Sequence, residues 1–132
     1  MRKACAYMRY SSKNQTINSI EYQRAEIQKY CKANGIKIVK EYIDEAMRGA
    51  DEKRPAFQKT KAAINGKREW DMVLIFHTSL LARYTKLALE IMEDFYSNRI
   101  DVIFTSQLNL NGRDLNTRYY ATVQFANDER QS

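Results

Sequence analysis

Met72-Val73-Leu74-Ile75-Phe76 is the stretch on which the fold turns. Five apolar residues in unbroken succession, with no polar alternation, suit a strand covered on both faces, as the middle of a parallel sheet requires. Working back from it, Lys3 to Met8 is short, mostly apolar and followed by a polar stretch from Tyr10 to Asn18, which predicts a first buried strand ending in a loop. Asn18 stands three residues before Glu21, a cap-and-return pairing that opens a helix lined by Ile20, Ala25, Ile27 and Cys31 and closed by Asn34-Gly35. Ile36, Ile38, Val39, Tyr42 and Ile43 predict a second strand, and the charged, Gly49-containing segment from Asp44 to Lys53 a loop. Pro55 suits the first turn of a second helix carrying Phe57, Thr60, Ala63 and Ile64 before Gly66.

Working forward, Leu87, Ala88, Ile91, Met92 and Phe95 recur at helical spacing, Val102 to Phe104 predicts a fourth strand, and Ser106 to Asn116 a polar loop. Thr117 to Arg130 carries Tyr120, Val123, Gln124 and Asn127 in a helical pattern that the sequence ends partway through. Strands alternating with helices predict an α/β fold of three layers: a mainly parallel central sheet flanked by helices, joined by right-handed crossovers, with a truncated long helix at the C-terminus. No internal repeat or low-complexity segment interrupts it, and 132 residues suit one domain.

Composition narrows the function. Twenty-two Lys and Arg against sixteen Asp and Glu give a net charge of +6, an excess that favours a polyanionic partner, although many basic proteins bind no nucleic acid. The longest apolar run is far below a membrane span, and the N-terminus is too short in apolar residues for a signal peptide, so the cytoplasm is the default compartment. Cys5 and Cys31 lack the spacing of a zinc site or disulfide framework and read as free thiols, and His77 has no ligand cluster around it, so no metal is expected.

In a parallel α/β fold the working site gathers at the carboxyl ends of the strands. The first such loop reads Tyr7-Met8-Arg9-Tyr10-Ser11-Ser12-Lys13-Asn14-Gln15, two hydroxyls beside an always-charged guanidinium. Ser11 is there a candidate nucleophile or an ordinary loop residue. Arg48, Arg54 and Arg83 lie in the other loops, either converging to hold a phosphate in fork geometry or forming a solvated basic rim. No glycine-rich phosphate loop is present, and one histidine without an obvious partner argues against a Ser-His-Asp triad.

Tyr7-Met-Arg9-Tyr-Ser11-Ser12 with Gln15, then Ser19-Ile-Glu-Tyr-Gln23, then Tyr42-Ile-Asp44 through Gly49 to Arg54-Pro55, resembles the amino-terminal catalytic domain of serine recombinases, the group of resolvases, invertases and large serine integrases or transposases. The resemblance spans nearly the whole chain. It implies that Ser11 attacks a DNA phosphodiester to leave a 5′-phosphoserine link, with Arg9, Arg54 and Arg83 binding the phosphate and stabilising the transition state. Tyr7, Gln15 and Gln23 are then supporting site residues and Asp44 a structural one. Asn127-Asp-Glu129-Arg130 resembles the family segment just inside the long helix that joins subunits, and Arg130 is a further candidate DNA contact. No cofactor and no metal is implied; the partners are DNA and further copies of the chain, as dimers that pair into a tetramer. Sequence-specific DNA binding in the family belongs to a separate carboxyl-terminal part, which these 132 residues do not include. One position departs: the turn after the third strand normally carries two arginines three residues apart, and Ser79-Leu80-Leu81-Ala82-Arg83 keeps only the second. The family reading thus leaves open a catalytically weak or inactive copy that serves as a binding and self-association module.

Overall fold

The computed structural model describes residues 1–9, 19–44, 55–81, 85–107 and 115–131, with backbone alone for 115–120 and 131. Strand β1 (Arg2–Arg9) is followed by helix α1 (Ile20–Asn34), strand β2 (Ile36–Asp44), helix α2 (Pro55–Ala63) and strand β3 (Met72–Ile75). A single 3-10 turn, Thr78–Leu80, leads to helix α3 (Thr85–Ser97), strand β4 (Asp101–Phe104) and helix α4 (Leu115–Gln131). The four strands form one parallel sheet in the order β2-β1-β3-β4.

That order reverses direction at β1. The chain steps outward from β1 to β2, then crosses back over β1 to β3 and on to β4. Right-handed crossovers then require α1 on one face of the sheet and α2 and α3 on the other. The cores obey this. Ala4, Ala6 and Met8 of β1, Met72 and Leu74 of β3 and Ile103 of β4 pack with Ile20, Ile27 and Cys31 of α1. The intervening residues Cys5, Tyr7, Val73, Ile75, Val102 and Phe104 pack with Phe57 of α2, with Ala88, Ile91, Met92 and Phe95 of α3, and with Ala121 and Phe125 of α4. Three layers result, as expected. Both faces of β3 are covered, which is why its sequence shows no alternation. Each fully buried Leu, Ile or Phe of these clusters contributes ~1.5–3 kcal/mol of apolar transfer free energy.

The helix ends correct parts of the sequence reading. Ser19, not Asn18, caps α1, its hydroxyl accepting from Tyr22 N at 3.2 Å. The buried face of α1 is Ile20, Gln23, Ile27 and Cys31; Ala25 is exposed, because Gln23 takes a place on the inner face for its hydrogen bonds rather than its hydrophobicity. Asp44 ends β2 instead of opening a loop and is buried. Helix α4 begins at Leu115, two residues earlier than expected, and turns Ala121 and Phe125 inward while Val123 is exposed. Cys5 and Cys31 are free and buried, and burial pushes both thiols up from their ordinary range. Among the described residues no helix is long and apolar enough to cross a membrane.

Candidate active site at the carboxyl ends of the strands

The reversal of strand order places the crevice of the sheet between the carboxyl ends of β1 and β3. Pairing of β1 with β3 ends at Tyr7↔Ile75, whereas pairing with β2 runs on to Arg9↔Asp44. Gln23 of α1 serves the backbone of Arg9 there. Its amide nitrogen donates to Arg9 O at 2.7 Å and its carbonyl oxygen accepts from Arg9 N at 3.3 Å, so one side chain does what a neighbouring strand would do. Gln23 has no solvent exposure, and a buried amide left unpaired would cost ~1–3 kcal/mol, which fixes its conformation and the backbone of the last residue of β1. Tyr22 packs edge-on against Phe76, tying the same helix to the end of β3.

On the other side of Arg9, Asp44 gathers three donors. The Tyr7 hydroxyl donates to its Oδ2 at 2.8 Å, and the first-turn amides of α2 donate as well, Ala56 N at 2.8 Å and Phe57 N at 3.1 Å. A carboxylate at the amino end of a helix satisfies orphan N–H groups and meets the positive end of the helix dipole. The residue immediately before that turn is Arg54. Tyr7, Arg9, Gln23 and Asp44 are therefore brought together, with the start of α2 joined to them. Ser11, Gln15, Arg54 and Arg83 lie outside the described residues.

Beyond β3, His77 caps the 3-10 turn, its Nδ1 accepting from Ser79 N at 3.1 Å and lying 2.9 Å from Ser79 Oγ. Burial holds the His77 imidazole below its ordinary range, with the carboxylate of Asp128 acting in the opposite sense. Thr78 is fully buried; its N–H donates to Gln107 Oε1 at 3.0 Å and its hydroxyl to Asp128 Oδ2 at 2.7 Å. Leu80, where the family resemblance leads us to expect an arginine, is 6% exposed and belongs to the apolar core. Glu129 accepts from both the N–H and the hydroxyl of Thr85 at 2.7 Å, capping α3, and these bonds lower its carboxyl below the ordinary range. Arg130 is exposed on α4 and donates to Asn127. Sequence reading did not find Thr78, Gln107 or Asp128. The available signal was Asp128 lying one helical turn beyond the apolar Phe125, on the same face.

The fold agrees with what comparison with known proteins finds. The family model of the resolvase N-terminal domain matches residues 4–132. The chain belongs to that family. The N-terminal catalytic domain of TP901-1 integrase is 27% identical, with a TM-score of 0.75, over 98% of this chain and 96% of that one. The C-terminal catalytic domain of ISC1926 TnpA, an IS607-like serine recombinase, is 28% identical with a TM-score of 0.66, over 78% of this chain and 70% of that one. A resolvase-family site-specific recombinase from Streptococcus pneumoniae, 24% identical, shares the fold with a TM-score of 0.73 over 99% and 89% of the two chains. No curated protein matches.

Proposed function

We propose that this chain is the catalytic domain of a site-specific DNA recombinase that cuts and rejoins strands through Ser11. The Ser11 oxygen attacks a DNA phosphodiester, forming a 5′-phosphoserine bond and releasing a 3′-hydroxyl. The reverse attack by a hydroxyl of the recombined partner strand restores DNA and serine, so the energy of the broken bond is kept and no ATP is needed. Arg9, Arg54 and Arg83 hold the phosphate and offset the charge that develops on it. Tyr7, Gln15 and Gln23 support that set, Arg130 makes a further DNA contact, and the working assembly is a dimer that pairs into a tetramer on DNA.

The observation that carries this reading is the double anchorage of the β1 terminus. Gln23 clamps the backbone of Arg9, and Asp44, paired in register with Arg9, binds both Tyr7 and the first turn of α2 next to Arg54. A charge-stabilising site depends on such preorganisation, since it must not reorganise when the charge appears. A second reading, a weakly active or inactive recombinase domain that retains DNA binding and self-association, is favoured by Leu80. One lost donor to a transition-state phosphate costs about 100- to 1,000-fold in rate.

The test is a nicked or mismatched suicide DNA on which strand release traps the covalent intermediate. The expected result is a protein–DNA adduct resistant to denaturant and abolished by Ser11→Ala. Binding of the same DNA without any adduct at long incubation favours the second reading, and an adduct that survives Ser11→Ala overturns the first.

A further inference from the structure

We propose that Asp128 of α4 is a positioning residue: through Thr78 it holds the turn after β3 at the carboxyl end of the sheet, the turn that leads in sequence to Arg83. Its catalytic consequence rests on the recombinase reading above; the clasp itself does not.

Three observations carry it. First, Asp128 spends both carboxylate oxygens inside the chain: Oδ2 accepts from the Thr78 hydroxyl at 2.7 Å and Oδ1 accepts from Gln124 Nε2 at 3.0 Å. A hydroxyl donating to a carboxylate at that length is a charge-assisted bond, about twice as strong as a neutral one, and Gln124 keeps the carboxylate aimed. Second, the donor, Thr78, is fully buried, and its backbone N–H donates to Gln107 in the segment after β4, so Thr78 is gripped from two sides at once. Third, the neighbouring residue of α4, Glu129, grips Thr85 at the start of α3. Arg83 is two residues in sequence from Thr85 and two from the fully buried Leu81, so α4 holds the chain on both sides of it.

The position of Leu80 explains why this grip falls to α4. An arginine there could tie the turn to a phosphate only once DNA is bound. Leu80 instead packs the turn into the apolar core shared with Ala121 and Phe125 of α4. The apolar contact is non-directional, and the Thr78–Asp128 bond supplies the direction.

The experiment compares Asp128→Ala, Thr78→Val, the double variant and Thr78→Ser in the full chain, by amide hydrogen exchange and by the rate of adduct formation on suicide DNA. Exchange at Leu80 and Leu81, whose N–H groups donate to His77 O and Thr78 O, reports the turn. Exchange at Val73 and Ile75 reports the sheet and verifies that each variant is folded. Asp128→Ala and Thr78→Val are expected to lose turn protection about tenfold or more while the sheet stays protected. Adduct formation at saturating DNA is expected to slow by ~10- to 100-fold with DNA affinity unchanged within about twofold, the signature of misplacement rather than lost binding. Thr78→Ser should retain both properties, and the double variant should be no worse than either single one, because the two residues form one bond. Unchanged turn exchange in Asp128→Ala, multiplicative losses in the double variant, or an effect confined to DNA affinity would overturn the proposal. A wild-type chain that forms no adduct overturns the reading of an active strand-cutting enzyme in favour of the inactive domain, while the exchange measurement still decides whether Asp128 holds the turn.

Discussion

Leu80 decides what can be repaired at the level of one side chain. The substitution Leu80→Arg supplies the arginine that the resemblance leads one to expect, yet Leu80 is 6% exposed within the apolar core beneath α4. A guanidinium there must either stay dry or pull the turn outward, and losing a buried leucine alone costs ~2–5 kcal/mol. Leu80→Arg is therefore expected to lower the thermal midpoint by roughly 10 °C or more, and a gain in adduct yield should appear only well below the new midpoint. An unchanged midpoint would show that the side chain reaches solvent without disturbing the core. His77, three residues earlier, makes a pH prediction. Burial lowers its folded pKa below the ordinary 6.5, so the neutral ring is the form the fold favours. Its contribution to stability is present above 6.5 and is lost as pH falls through the lower folded value, where Nδ1 gains a proton and no longer accepts from Ser79. Asp128 opposes the shift and softens the loss. Stability of wild type should decline on acidification below pH ~6.5 more steeply than that of His77→Asn, which keeps a capping acceptor without the titration; parallel curves would assign the effect to other groups.

Among the elements, α1 and α3 end by the same physics with different residues. Gly35 closes α1 at φ 65°, its N–H bonded to Cys31 O. Arg99 closes α3 at φ 63°, with Arg99 N on Tyr96 O and Ile100 N on Phe95 O, while Ile100 and Phe95 are both buried. This is the Schellman arrangement, and a side chain in the left-handed region carries strain that glycine avoids. Arg99 is exposed, so Arg99→Gly is expected to stabilise by about 0.5–1 kcal/mol, read as a higher denaturant midpoint at unchanged m-value. A fall in midpoint would mean that the unfolded-state entropy of glycine outweighs the relieved strain. The same elements show what a sequence can reveal. The strands were legible because burial on both faces of β1 and β3 leaves no room for polar residues, and Gly35 was legible because its conformation selects its residue type. The inner face of α4 was not, since Ala121 and Phe125 are too few among polar neighbours to outweigh Val123. Of the candidate site, Arg9 was legible from its place at the carboxyl end of the first strand, Tyr7 and Gln23 only through family resemblance. The physical jobs of Gln23 and Asp44 are bonds to backbone groups 14 and 12 residues away, which no local pattern encodes.

At the scale of the whole molecule, the described charged groups at the two ends of the sheet are engaged differently. At the amino ends of the strands Arg2 is paired with Asp101 at 2.8 Å and with Asp71 at 3.4 Å, so that end is locally neutralised. At the carboxyl ends, the carboxylates of Asp44 and Glu129 accept hydrogen bonds from backbone amides and hydroxyls of their own chain. Arg9 emerges at the same end, and the sequence places Arg54, Arg83 and Arg130 in the segments that adjoin it. With a net charge of +6, the chain is expected to bind DNA through phosphates at that end, weakly and with little base preference. If these four arginines each neutralise one phosphate, the logarithm of affinity should fall against that of salt with a slope of about −3.6, roughly 100-fold between 50 and 200 mM. Titration of duplex DNA by fluorescence anisotropy across that range measures the slope. Arg130→Ala, at an exposed side chain that takes no part in the bonds of Asp128 or Glu129 to the turn and α3, should lower it by about one, whereas Arg2→Ala at the opposite end should leave it unaltered. A slope near zero, equal effects of the two substitutions, or a tight base-specific footprint would place the DNA elsewhere on the molecule.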